Sequence, residues 1–454
     1  MIRSHLQFLG MVLQTSRIFS LLLVSSAATL FVVVSWGRLS RNISWTALAR
    51  KATHTGEDSL LDSGSKFGNI KGNSGPPASV FTTAQKAKTD QTTASTHAAV
   101  GETPMPVLSR ESFGKLPQWD FEDVYNRDAP PRHTACAQSV QNSEDESFRK
   151  AFLPDIRLFM HKDDINMSEW NRLSHFNNPF GFMGFKYDDV MASVKLIPKP
   201  KEPLLDTKPG GDGCVRCAVV GTAGILNGSR MGKEIDAHDY VFRMNGAVVK
   251  GYEEDVGNRT SVYVHTAHAI TRSLSLLKKY GYSSAPNDEG IKYVMIPEGM
   301  RDFYWLEGLF KGEKVSAGQY HNKQPRMYYG GQYNESRFYV LHQDFLRYIR
   351  NRFLMSATLN TSSWAIVRPT NGAFTLFLAL HTCDVVSAYG FMTEDYKKYS
   401  NYYFERTTKT SVVFYLNHDY ILEKNLWTKL HNSKIIRLYQ RADSETGTEE
   451  LKPH

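Results

Sequence analysis

Two short segments, far apart in the chain, constrain its fold more than any other feature. They are Cys217-Ala-Val-Val-Gly-Thr-Ala-Gly-Ile-Leu and Arg368-Pro-Thr-Asn-Gly-Ala-Phe, and the second opens an apolar stretch that contains Cys383. The first reads as a buried strand, Cys217 to Val220, running into the turn Gly221-Thr222-Ala223-Gly224. The second reads as a tight turn leading into a buried helix, Ala373 to Leu380. Asp239 to Asn245, Ser261 to His265, Tyr293 to Pro297, Phe338 to Leu341 and Val385 to Gly390 carry the β-branched and aromatic residues of further strands. Asp344 to Phe353 and Tyr420 to Leu430 read as helices. Strands alternating with helices predict an α/β fold with a largely parallel sheet flanked by helices. Ligands of such sheets sit beyond the carboxyl ends of the strands, where both glycine turns lie.

The rest of the chain reads as a tail, an anchor and a stalk. Ile18 to Trp36 carries no charge. At ~1.5 Å per residue it is long enough for a bilayer core of ~30 Å, so 18–36 is expected to be a membrane-spanning signal-anchor behind a cytoplasmic tail, 1–17. From 37 to 130 Thr, Ser, Gly, Ala and Lys dominate, which predicts a flexible stem. The globular body is expected over 131–454. Asn42, Asn166, Asn227, Asn258, Asn334 and Asn360 each begin an Asn-x-Ser/Thr sequon, which suits a lumenal body. Cys214-Val-Arg-Cys217 has the spacing of a zinc half-site, but no second close pair accompanies it. In an oxidising compartment two disulfides are the better reading, with Cys136–Cys214 and Cys217–Cys383 the favoured pairing. The formal net charge is +8, yet no RNP, zinc-finger or basic-helix pattern is present, so nucleic acid is not an expected partner.

Several residues have the chemistry of a site, and each also has a plain structural reading. Gly221 to Gly224 lets backbone amides approach an anion, or is merely a tight strand exit. Asn245, before Gly246, can bind a ribose or base through its carboxamide, or simply form a turn. Thr370-Asn371-Gly372 can hold a phosphate or carboxylate, and can equally cap the helix behind it. Tyr402-Tyr403-Phe404-Glu405 is an aromatic cluster whose phenols can bond a phosphate, or a core stripe. His418 has the pKa of a base that works near neutral pH. Five residues at ~100° each set His418 and Glu423 ~140° apart on a helix, so His418 is expected to project from the cap. No Asp-x-Asp occurs in the body, which disfavours the metal route of sugar-nucleotide diphosphates; no metal or cofactor is expected.

Taken in order, four of these segments resemble the motifs of the eukaryotic sialyltransferases, glycosyltransferase family 29. Cys217 to about Val264 is similar to the large sialylmotif, and Arg368 to Phe391 to the small one. Tyr402 to Glu405 is similar to the third motif, and His418-x-x-x-x-Glu423 to the very small one. Gly224-Ile-Leu-Asn-Gly-Ser, Ile235 to Gly246, Ser387-Ala-Tyr-Gly-Phe391 and Ile436 to Arg441 most resemble the N-acetylgalactosaminide α-2,6-sialyltransferase type. The resemblance implies a variant GT-A, Rossmann-like fold and a single-pass type II protein of the Golgi membrane with a lumenal catalytic domain. It implies CMP-sialic acid as donor, O-glycosylated proteins as acceptors and inverting, metal-independent transfer to O6 of GalNAc. By position, His418 matches the general base. Thr222, Asn245, Thr370, Asn371, Gly372, Tyr389, Gly390, Phe391 and Tyr402 match donor-binding positions, and Cys217 with Cys383 matches the family's bridge. The chain departs from the family at Thr222, Asn371 and Tyr402, where asparagine, Ser/Thr and histidine are usual. Three rivals remain at this point: a sialyltransferase for a sialylated core or glycolipid acceptor, an oxidoreductase with the same strand and glycine turn, and a silent glycan-binding relative.

Overall fold

In the computed structural model, which describes residues 102–130, 132 and 134–441, the sheet has seven strands. They are β1 (Arg216–Val220), β2 (Tyr240–Met244), β3 (Val262–His265), β4 (Lys292–Met295), β5 (Phe338–Val340), β6 (Val385–Tyr389) and β7 (Arg437–Leu438). All pair in parallel, in the order β5-β4-β3-β2-β1-β6-β7. The chain winds outward from β1 to β5 and then returns to build β6 on the other side of β1. The direction of winding thus reverses between β1 and β6, the place where such sheets bind ligands.

Period-two alternation along β1 gives each face its own core. Cys217 and Val219 point into the larger core, and Ala218 and Val220 into a second one with Ile225, Val241 and Tyr403. Five helices matter for the site: α1 (Ala267–Leu276), α2 (Met300–Lys311), α3 (Gln343–Phe353), α4 (Asn371–Thr382) and α5 (Tyr420–Asn432). Helix α4 is apolar on nearly every side and fully buried against the centre of the sheet.

Both disulfides form, Cys136–Cys214 with Cα atoms 4.7 Å apart and Cys217–Cys383 with 6.1 Å. From the sequence, a Cys217–Cys383 bond is expected to pin the turns at 221–224 and 370–372 side by side, and the structure differs. Cys217 is near the start of β1 and Cys383 closes α4, so the second bridge lies at the opposite end of the strands from the glycine turns. It fastens the far end of α4, ~18 Å from the helix N-terminus at 1.5 Å per residue. The turn at 221–224 instead meets the end of β6 through main chain: Gly221 N donates to Tyr389 O (2.8 Å) and Ala223 N to Gly390 O (3.0 Å). A Cβ on Gly221 would lie 2.4 Å from Gly390 O, so only glycine admits this approach.

Part of the segment expected as stem has contacts of its own. Residues 108–125 pack on the body through Leu108, Phe113, Leu116, Phe121 and Tyr125. The reason is electrostatic as much as apolar. Helix α3 buries Arg347 and Arg350, and a buried guanidinium needs acceptors. Arg350 pairs with Asp120 and Arg347 donates to Glu122 O (2.7 Å) and to Val124 O. Removing one partner of a buried pair strands the other charge, so Asp120→Ala is expected to cost about 3–5 kcal/mol. Urea unfolding checks this, and a loss below about 1 kcal/mol would show that the strap is dispensable.

Tail 1–17, anchor 18–36, stem residues 37–101 and the sequon at Asn42 lie outside the described residues. Among the described residues no helix is long and apolar enough to cross a membrane. Of the remaining sequons, Asn166, Asn258, Asn334 and Asn360 are exposed and Asn227 is half-buried.

Candidate active site

The site forms at the carboxyl ends of β1, β2 and β6, where α4 begins. Thr370 is the N-cap of α4, and its Oγ1 accepts from Ala373 N at 3.1 Å. Asn371 and Gly372 make the first turn, so the cap and anion-site readings coincide at one helix N-terminus. Glu423 of α5 reaches across and accepts from both Thr370 N and Thr370 Oγ1, each at 2.6 Å. Burial pushes the Glu423 carboxyl up to about 7, while the two Thr370 bonds oppose that shift.

Asn245 lies just past β2 with φ of +52°, a left-handed conformation that asparagine tolerates better than most residues. Its Oδ1 accepts from Asn371 Nδ2 at 2.7 Å. Arg368 Nη1 in turn donates to Asn371 Oδ1 at 3.2 Å. Arg368 also pairs with Glu298 at 2.6 Å, and Arg301 takes the other oxygen of that carboxylate at 2.6 Å. Despite its burial, Glu298 is held well below the usual carboxylate range by Arg368 and Arg301. The chain Arg301–Glu298–Arg368–Asn371–Asn245 therefore fixes the mouth of α4 from one side.

His418 projects from the segment before α5, as its spacing to Glu423 predicts, and is partly exposed. Its Nδ1 lies 2.9 Å from Arg368 O, and Arg368 N donates to Asn417 O at 3.0 Å. A carbonyl oxygen only accepts, so Nδ1 carries the proton and Nε2 the lone pair. Asn417 Nδ2 lies 3.3 Å from Nε2, consistent with that tautomer. Desolvation lowers the imidazole to about 4, and the nearby Arg368 charge acts in the same direction. At neutral pH His418 is thus uncharged.

Phe391 packs edge-on against Trp427 at 5.7 Å and lies 3.6 Å from where a Cβ on Gly372 would be. Tyr402 stacks on Phe404 at 5.0 Å and bridges to Ala223, beside Thr222, whose carbonyl accepts from Tyr403 N at 3.1 Å. Burial pushes the Tyr402 phenol up, so it remains a donor at neutral pH. Tyr389 is the exception among the expected residues. Its phenol donates to Glu234 at 2.7 Å and its ring stacks on Tyr439, in the second core. Gly390, at φ of +69°, interrupts the strand alternation, so Tyr389 and Phe391 fall in different cores. Gly390 itself serves the close approach to Gly221.

Sequence reasoning passed over Glu298 and Asn417. Glu298 follows β4 directly, and a carboxylate past the end of a parallel strand is the signal that marks it.

Gly372→Ala separates the cap from the anion site. Alanine is the better helix former by about 1 kcal/mol, and its Cβ would be tight only against Thr370 Oγ1, at 3.3 Å. Stability is expected to stay within about 1 kcal/mol while the KM for a phosphate-bearing donor rises about tenfold. An unchanged KM would remove the phosphate from this turn.

With this geometry in place, the comparison with known proteins is decisive. Residues 159–435 match the family model of glycosyltransferase family 29 (sialyltransferase). The chain belongs to glycosyltransferase family 29. It is 44% identical over 345 residues to alpha-N-acetylgalactosaminide alpha-2,6-sialyltransferase 1 of Mus musculus, a match covering 74% of this chain and 65% of that one. It is 41% identical over 305 residues to alpha-N-acetylgalactosaminide alpha-2,6-sialyltransferase 2 of Mus musculus, covering 67% of this chain and 82% of the relative. The chain thus spans less than two thirds of the length of the first of these relatives. A crystal structure of a mammalian sialyltransferase shares the fold, with a TM-score of 0.50 at 22% identity over 68% of this chain and 100% of that one. The parallel α/β sheet flanked by helices is therefore that of a family 29 member.

Proposed function

We propose that this protein transfers sialic acid from CMP-sialic acid to O6 of GalNAc on O-glycosylated proteins, with inversion and without a metal. The observation that carries the reading is the neutral His418, its Nε2 lone pair free of Arg368, beside the α4 N-terminus at the reversal point of the sheet. The donor phosphate is received by Thr370, Asn371 and Gly372, where the helix dipole favours negative charge. The Tyr402 phenol donates to it, and Thr222, Asn245 and Phe391 line the nucleotide. The acceptor O6 attacks the anomeric carbon of the sialyl group, and its proton passes to His418 Nε2. The bond from that carbon to the phosphate oxygen breaks, and CMP leaves with the electron pair. The relatives' names supply the acceptor, and a Golgi membrane location with 18–36 as anchor belongs to the same proposal.

Incubating the soluble body with CMP-sialic acid and a GalNAc-peptide is expected to yield an α-2,6-linked product on linkage analysis. Transfer to another hydroxyl, or CMP release without transfer, would contradict the proposal.

The low pKa of His418 has a direct consequence. For kcat/KM of CMP-sialic acid, which reports the free enzyme, the acid limb is expected near pH 4 rather than at the ~6.5 of a solvated histidine. The same sign applies to stability. The unfolded chain binds the proton first, so the His418 contribution declines as pH falls from ~6.5 towards 4. An acid limb at or above ~6.5 would mean that desolvation does not lower this imidazole.

A further inference from the structure

We infer that the apolar rim beside His418 docks the polypeptide that carries the acceptor sugar, which rests on the acceptor reading above. Val413, Phe414, Tyr415 and Leu416 are consecutive large apolar residues open to solvent, and Leu416 is 79% exposed. Such a run on a water-facing surface marks a contact site rather than ordinary surface scatter. It is physically continuous with the catalytic imidazole. Leu416 is two residues from His418, so their Cα atoms lie within about 7 Å. His418 N donates to Tyr415 O at 3.2 Å. Phe414 stacks on Tyr420 at 5.1 Å with the rings 12° apart, and Tyr420 stands edge-on to the His418 ring at 5.6 Å.

Ser356 Oγ donates to Asp419 Oδ2 at 2.8 Å, which sets the exposed Met355 beside the start of α5. A GalNAc whose O6 is bonded to Nε2 holds its anomeric oxygen one pyranose ring away. The serine or threonine attached there, with its flanking peptide, then passes over this rim. A lipid surface on the same patch would close the mouth through which a protein acceptor must enter, so the peptide is the favoured occupant.

The test uses Leu416→Ser, a change at an exposed position that makes no demand on the core. Affinity for a GalNAc-peptide and for methyl-GalNAc is measured with CMP present, and turnover is measured on both with CMP-sialic acid. The wild type is expected to prefer the peptide, and Leu416→Ser to lower that preference about tenfold in both readouts, the order expected for one apolar side chain lost from an interface. Equal effects on both acceptors, an unchanged preference, or a raised KM for the donor alone, as for a lid, would each overturn the inference. Loss of binding to phosphatidylcholine vesicles with peptide preference intact would overturn it in favour of lipid. A wild type that binds the peptide preferentially yet transfers nothing would refute the proposed reaction and leave the docking surface standing.

Discussion

Replacing His418 by alanine is expected to lower kcat by about 10²–10⁴-fold, the usual contribution of a positioned general base. Affinity for CMP should be nearly unchanged, because the residues assigned to the phosphate are Thr370, Asn371 and Gly372 on α4. The fold should persist, since His418 lies outside α5 and is partly open to solvent. The loss should appear in kcat and kcat/KM together, as befits an interaction made only in the transition state. A glutamine at 418 is expected to fare little better. It can keep the bond to Arg368 O but cannot take a proton. Turnover within about fivefold of wild type in a folded His418→Ala protein would assign proton removal to another group.

The second large effect concerns Cys217–Cys383, which closes a loop with a sequence separation of 166. Substituting both cysteines by alanine is expected to lower stability by about 2–5 kcal/mol, read as a shift in the urea midpoint. Donor KM should change far less, because the bridge holds the far end of α4, away from Thr370, Asn371 and Gly372 at its start. Two readings of the staple are thereby separated. If it clamped the turns directly, CMP affinity would fall along with stability. Wild-type stability in the double variant would show the bridge to be energetically idle.

Much of the architecture was legible in the sequence. Strands β1 to β6 are short apolar runs with glycine or polar residues at their ends, and α4 is apolar throughout. The placement of Thr370, Asn371 and Gly372 at a helix start, of Asn245 just past a strand and of His418 ahead of a helix follows from local pattern. The parts that were not legible depend on partners distant in the chain. Residues 102–130 look like stem because they hold few apolar residues. What holds them is Asp120 against Arg350 and main-chain oxygens against Arg347, pairings that no local pattern announces. Tyr389 ends β6 on the face of the second core, and the positive φ at Gly390 turns Phe391 to the other face, a reversal that no local pattern announces. Strand β7, two residues long, is too short to show a period. Glu298 has a local partner in Arg301, but gains its place in the site only when Arg368, distant in the chain, closes on it.

The central claim is that one imidazole and one helix N-terminus share a single substrate across the β1/β6 reversal. A crystal structure of the body with CMP and a GalNAc-peptide tests it most directly. The phosphate is expected at the amides of Asn371 and Gly372, with O6 of GalNAc at ~2.6–3.2 Å from His418 Nε2. A phosphate bound away from α4, or an O6 beyond reach of the imidazole with CMP in place, would contradict it.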